Sequence, residues 1–478
     1  MTSIYRRIVL FFGLAILTGA ALLSMPFALA DKTQHTSNPA LGMILNGIFT
    51  ATSAVCVTGL SIVDIGSYYN YFGQLVILAL VQLGALGYVL FATASGLLAG
   101  RLPIKERLAI KEVMDPSSYE GLLSLLKHII KIVLAIELLG ALALTFLFSR
   151  YFSFARSAYY GIFHSVSAFA NAGFSLFSSN LESFSGDIYI MASVGCLIVL
   201  GGIGFLVISE IIPRRQYAEN ENETSLRGVG GGKFRLISSR LTLHTRMVLA
   251  ITAILILGGM LLFYLFENNN PATFSAAHDG SPQGIVYKIS NALFMSVTSR
   301  TAGFNTIKIS SLMPVTLFIL MILMFIGASP GGTGGGVKTT TFGVALLWIL
   351  AFLRGKNDIN LAGRRIPYEI ARKAVGYIML GILYCLAAIV AVLFLEKNNI
   401  NPLWCCFEVV SAFGTVGLSA GITPSLSVIS KIVIIVTMLV GRVGLLTLAL
   451  SALRGAGGAN GSGGKELIQY PEERVLVG

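Results

Sequence analysis

Four short stretches carry a pattern suited to holding a partly dehydrated ion. They are residues 48–60 (IFTATSAVCVTGL), 162–174 (IFHSVSAFANAGF), 293–304 (LFMSVTSRTAGF) and 406–418 (CFEVVSAFGTVGL). Each has an apolar run, a Phe and then a Gly preceded by small or hydroxyl residues. The glycines are Gly59, Gly173, Gly303 and Gly417, spaced 114, 130 and 114 residues apart. Phe49, Phe163 and Phe407 stand ten residues before their glycine, and Phe294 nine. A repeat of this period implies four similar units around a shared centre. Glycine permits backbone conformations closed to other residues, which lets neighbouring carbonyls turn inward. Four such segments around an axis can replace an ion's water shell with carbonyl oxygens. The lining segments are then Val57-Thr58-Gly59, Asn171-Ala172-Gly173, Thr301-Ala302-Gly303 and Thr415-Val416-Gly417. Half-helices before them would aim their negative C-terminal ends at the centre and favour a cation. Glycines that merely ease helix packing are the alternative. One copy would suit that reading; four matched copies favour a pore.

A second feature is the run Gly327-Ala-Ser-Pro-Gly-Gly-Thr-Gly-Gly-Gly-Val-Lys-Thr-Thr-Thr341. No helix passes unbroken through Pro330 and so many glycines. The run nearly matches a phosphate-binding loop, which would make the chain an ATPase. Val337 intrudes between Gly336 and Lys338, however, and the flanks are apolar rather than a strand and a soluble helix. As a break in a membrane helix, its residues Gly331, Gly332, Thr333, Gly334, Gly335 and Gly336 form a candidate gate below the pore stretches. A static kink is the alternative. Arg442 interrupts the last apolar segment, where a charge is functional or paired. It could repel cations or hold freed loop carbonyls, and Glu137 is the buried acid it could pair with instead. Lys338 is expected to snorkel to the cytoplasmic surface. Asp64 and Glu408 read equally as cation-attracting groups or ordinary acids, and His164 as a packed helix residue.

The elements that position these residues are membrane helices. The chain has 478 residues, 55% hydrophobic and 12% charged, with a mean hydropathy of +0.79. Soluble domains carry roughly 25% charged residues. Uncharged runs such as 8–30, 71–100, 188–209, 247–266, 309–337 and 374–395 reach the ~20 residues a spanning helix needs. The run at 8–30 exceeds the apolar core of a cleaved signal and reads as a first spanning helix. The five cysteines form no CxxC pair, which argues against a disulfide framework or a zinc site.

The expected fold class is an all-α membrane protein of four pseudo-repeated helix–pore-loop–helix units around a central ion pore, with eight spanning helices. The expected units are 1–100, 101–215, 247–355 (with the loop at 327–341) and 356–453. A cytoplasmic connection at 216–246 and a cytoplasmic tail at 454–478 complete the chain. Most Lys and Arg fall in the connections between units and at the termini, which places these on the cytoplasmic side. The net charge of +12 is thus a topology signal rather than a nucleic-acid footprint.

At these residues the chain resembles KtrB-type members of the Trk/Ktr/HKT potassium transporter superfamily. The resemblance covers nearly the whole chain. It rests on VCVTGL, AFANAGF, TSRTAGFNT and FGTVGLSAGIT, on SPGGTGGGVKTTT, and on GRVGLLTL. Residues 213–246 are less familiar in that family, and Leu446 stands where a proline is expected. The resemblance implies K⁺ held by backbone carbonyls of the twelve lining residues, with gating by the loop together with Lys338 and Arg442. It further implies a homodimer in the cytoplasmic (inner) membrane with both termini cytoplasmic. A cytoplasmic ring of KtrA-like RCK subunits would bind ATP or ADP, and Na⁺ would act as activator. No organic cofactor is expected on this chain, and no enzymatic activity. Obligate Na⁺–K⁺ symport is the main alternative, a membrane ATPase the lesser one.

Overall fold

The computed structural model describes residues 4–30, 39–98, 119–212, 241–274, 282–355, 359–361, 364–396 and 400–444. Most of the expected connection 216–246, the expected tail 454–478 and Leu446 lie outside the described residues.

The described chain is mostly helical, which lets a backbone in lipid satisfy its own polar groups. Its helices are α1 (Ile4–Leu23), α2 (Pro39–Val55), α3 (Tyr71–Leu98), α4 (Tyr119–Phe148) and α5 (Phe154–Phe169). There follow α6 (Ile188–Ile203), α7 (Phe205–Ile211), α8 (Leu243–Glu267), α9 (Pro282–Thr298), α10 (Pro314–Phe325) and α11 (Thr339–Leu353). A two-stranded antiparallel hairpin, Ile359–Leu361 with Arg364–Ile366, leads to α12 (Tyr368–Glu396), α13 (Pro402–Gly414) and α14 (Val428–Val443). Local signals set several starts. Asn401 caps α13, accepting from Leu403 N, with Pro402 at its first position. Asp187 caps α6 and Ser427 caps α14 in the same way.

Three described helices are long and apolar enough to cross a membrane: Lys127–Phe148, Leu243–Glu267 and Tyr368–Glu396. Their outer faces expose Leu138, Leu142 and Phe146, then Leu257 and Leu261, then Leu383, Val390 and Phe394. Apolar surface on that scale needs lipid or a partner to cover it. Two other expected spans are broken where glycine interrupts them. Helix α6 stops at Gly204 (φ 104°) and restarts as α7, so the break between α10 and α11 is not the only one. Helix α14 likewise ends at Gly444 (φ 89°).

Packing explains the motif's Phe. Phe163 and Phe174 insert into the core built by α1 and α3, with Phe12, Tyr69 and Ile77. Phe294 and Phe304 insert into the core of α4 and α6, with Phe148 and Ile190. Phe407 and Leu418 enter the core of α8 and α10, with Phe263 and Leu320. Phe49 and Leu60 close the circle by packing among Val392, Ile434 and Met438. Each stretch therefore anchors its Phe, and the apolar residue after its Gly, in the preceding stretch's core. All eight of these side chains are buried.

Candidate functional site

Helices α2, α5, α9 and α13 end one turn short of the glycines, and the chain then turns alike four times. Val57, Asn171, Thr301 and Thr415 adopt φ of 56°, 58°, 75° and 49°. Two residues on, Gly59, Gly173, Gly303 and Gly417 adopt 90°, 68°, 80° and 93°. Left-handed backbone is uncommon for a non-glycine residue and worst for a β-branched one. Among the described residues only Asn180 shares it outside these stretches. Strain recurring at matched places points to a functional site.

The four turns meet in a ring. A methyl group built on Gly59 would strike Ala172 O, and one on Gly173 would stand 2.7 Å from Ala302 O. One on Gly303 would strike Val416 O, and one on Gly417 would strike Thr58 O. The order runs through the four stretches and returns to the first, so no side chain is tolerated at any of the four. The half-helices meanwhile occupy the N–H groups of these segments. Thr58 N, Ala172 N and Val416 N donate to Ser53 O, Ser167 O and Ser411 O at 2.8–2.9 Å. Gly59 N and Gly417 N donate to Ser53 Oγ at 3.0 Å and Ser411 Oγ at 3.1 Å. These segments follow directly on the negative C-terminal ends of four helices, which favours a cation beside them.

The glycine-rich loop lies against the underside of this ring. Gly335 N donates to Thr415 Oγ1 at 2.9 Å, and a methyl group on Gly334 would strike Thr301 Oγ1. Thr333 Oγ1 donates to Phe169 O at 3.4 Å, and Thr333 N to Gly201 O at 3.2 Å. Gly336 N donates to Gly441 O at 3.3 Å. Arg442 ties the loop to the first unit: one arm of its guanidinium donates to Thr333 O, the other to Gly84 O at 2.6 Å. Loop residues thus touch partners from the second, third and fourth units, and Arg442 links them to the first.

One expectation needs correction, and one alternative falls away. Lys338 does not reach for the surface; its Nζ donates back to Gly334 O at 2.6 Å, because the loop's freed carbonyls lie closer than water. Arg442 does not pair with Glu137, whose carboxylate accepts from Gln82 Nε2 at 3.0 Å. Asp64 caps a turn, accepting from Gly66 N at 3.0 Å and from Ser178 Oγ. His164 is packed and satisfied, its Nδ1 2.8 Å from Tyr160 O. Among the described residues no three His, Cys, Asp or Glu side chains converge on a metal site.

The repeat also carries residues that the pattern of Phe and Gly does not single out. Ser53, Ser167 and Ser411 precede their glycine by six residues, a register readable from SAV, SAF and SAF. A second glycine set, Gly84, Gly201, Gly327 and Gly441, recurs 24 to 28 residues after the first. Methyl groups there would strike Val55 O, Phe169 O, Gly335 O and Phe413 O, so this set lets the inner helices approach the half-helix ends. Arg300, beside Thr301, is 7% exposed.

Residues 22–455 match the TrkH family model, described as cation transport protein. The chain is 35% identical over 432 residues to Ktr system potassium uptake protein B of Bacillus subtilis, covering 90% of this chain and 88% of that one. It is 32% identical over 435 residues to potassium/sodium uptake protein NtpJ of Enterococcus hirae, with the same two coverages. Among solved structures, the potassium transporter TrkH of Vibrio parahaemolyticus shares the fold, with a TM-score of 0.64 at 19% identity over 92% of this chain and 84% of that one. The chain belongs to the TrkH family of cation transport proteins, on its KtrB-type branch.

Proposed function

We propose that the chain is the K⁺-translocating subunit of an uptake system in the cytoplasmic membrane. The observation that carries this reading is the closed ring of four left-handed glycines, each against the next unit's carbonyl. Val57, Thr58 and Gly59 with their three counterparts form the selectivity filter, holding K⁺ by backbone oxygens. Each unit contributes two spanning segments, eight in all: α1 with α3, α4 with α6–α7, α8 with α10–α11, and α12 with α14. Loop residues 331–336 form the gate, and Arg442 is the latch that keeps it beneath the filter. A membrane potential of 100 mV, negative inside, favours inward movement of each cation by about 2.3 kcal/mol, so nucleotide hydrolysis is not needed for uptake. The relatives named as potassium uptake proteins support this assignment.

The protein works as a homodimer, with a cytoplasmic RCK-type ring on its inner face that carries the ATP or ADP response. Na⁺ coupling is the rival reading, favoured by the relative named for both potassium and sodium. Purified protein in liposomes with opposed K⁺ and Na⁺ gradients decides between them. A reversal potential set by K⁺ alone is expected; one that moves with the Na⁺ gradient establishes symport, and no cation current at all removes the function. The ATPase reading draws less support, with the Lys338 ammonium donating to the loop's own Gly334 O.

A further inference from the structure

Nine residues before the ring glycines the four units differ, with Thr50, His164, Phe294 and Glu408 in that place. All four are buried, Glu408 to 1% exposure. A carboxylate is tolerated there only if its oxygens are met by donors. Glu408 satisfies this with one short stretch of chain. Its Oε1 accepts from Ser419 Oγ at 2.5 Å and from Ala420 N at 3.0 Å, and its Oε2 from Thr423 Oγ1 at 3.0 Å. These donors lie two, three and six residues beyond Gly417. One side chain on the half-helix thus holds the strand that leaves the ring.

His164 makes the matching contacts in the second unit. Its Nε2 is 3.1 Å from Ser175 Oγ and accepts from Leu176 N at 3.4 Å, two and three residues beyond Gly173. With Nδ1 against Tyr160 O, the partners call for a proton on Nδ1 and an acceptor at Nε2. The first and third units have no such clamp. Thr50 meets Tyr69 Oη at 3.4 Å, and Phe294 packs into an apolar core.

We propose that Glu408 and His164 are positioning residues for ion selection. They act through Ser419 and Ser175 to hold the strands beyond Gly417 and Gly173, and so set the carbonyl spacing on two of the four sides. The inference rests on the reading of the ring as the K⁺ path. Glutamine offers one acceptor oxygen and turns an amide donor toward groups that already donate, so it is a partial replacement; alanine offers none.

The test is ⁸⁶Rb⁺ uptake by full-length protein in liposomes, with Na⁺ as competitor, alongside thermal stability of the same preparations. Glu408→Ala should lower the preference for Rb⁺ over Na⁺ by about tenfold, the scale of one buried acceptor lost. Glu408→Gln should lie between it and wild type, and His164→Ala should also lower the preference. An unchanged preference in folded Glu408→Ala overturns the proposal, whatever its thermal stability. If that variant does not fold, the double change Ser419→Ala with Thr423→Val removes two donors and leaves the carboxylate to Ala420 N. It should lower the preference severalfold, and a wild-type preference there overturns the proposal equally. Wild-type protein with no selective uptake would instead remove the reading of the ring, and this assignment with it.

Discussion

At Gly303 two demands coincide: a backbone angle of 80° and a neighbour's carbonyl where a side chain would begin. A non-glycine residue in that conformation costs about 1–2 kcal/mol before any clash. The added methyl would also stand 3.1 Å from Gly173 Cα and 3.2 Å from Gly417 Cα, both backbone and unable to swing away. Gly303→Ser is therefore expected to widen the ring and lower K⁺ over Na⁺ discrimination by at least about tenfold. Relative permeabilities from reversal potentials measure this, and unchanged values would argue against a filter role. Arg442 has a different task. Its two hydrogen bonds come from a charged donor and are worth about 1.5–3 kcal/mol each. Arg442→Gln keeps length but not the two-armed fork, so the loop should be held less firmly. Higher basal Rb⁺ flux without any cytoplasmic partner is expected; flux equal to wild type would leave Arg442 as a structural residue.

Among the elements, the broken helix is the proposed control on access. Helix α10 stops at Phe325, the chain crosses below the ring, and α11 resumes at Thr339. The crossing is held by hydrogen bonds within itself, such as Gly327 N to Val337 O at 2.8 Å, and by others to the neighbouring units. A segment rich in glycine has few apolar side chains to bury, so hydrogen bonds carry more of its stability. Shortening it by three residues within 331–336 should raise flux while the outer elements keep their fold, as read by helical circular dichroism. Unchanged flux would reduce the loop to a kink. Gly204 makes a companion case. Its φ of 104° breaks α6 from α7, Phe205 N donates to Gly331 O at 3.0 Å, and a methyl group there would stand 2.7 Å from Pro330 O. Gly204→Ala should displace the loop from the second-unit side and alter basal flux without changing K⁺ over Na⁺ preference. A changed preference with unaltered flux would show that the α6–α7 break serves the filter instead.

For the whole molecule, the ring is stable because each unit completes its neighbour's core. Phe49, Phe163, Phe294 and Phe407 are each buried in the preceding unit's cluster. Truncating a buried Phe to Ala typically costs 3–5 kcal/mol. Phe163→Ala should therefore loosen the contact between first and second units and lower thermal stability, with selectivity and stability falling together. Loss of stability with intact selectivity would mean that the ring is held by hydrogen bonds alone. Assembly beyond one chain is expected too: native mass spectrometry in detergent should give a dimer, and a monomer that conducts would remove the dimer from the mechanism.

Much of this was legible in the sequence because it is written in local chemistry. Low charge and long apolar runs point to membrane helices, and four Phe–Gly stretches at similar spacing point to four similar units. A glycine run around Pro330 is enough to require a broken helix. Which residues meet which was decided by tertiary structure. The Arg442 fork reaches Thr333 and Gly84, the latter 358 positions earlier in the chain, and only the ring brings them together. Lys338 turned inward because nearby carbonyls offered acceptors that hydropathy does not register. The order in which each glycine meets the next unit's carbonyl, and each Phe the preceding unit's core, is a property of closure. Periodicity along a chain specifies that units are alike; only their packing specifies how the last one returns to the first.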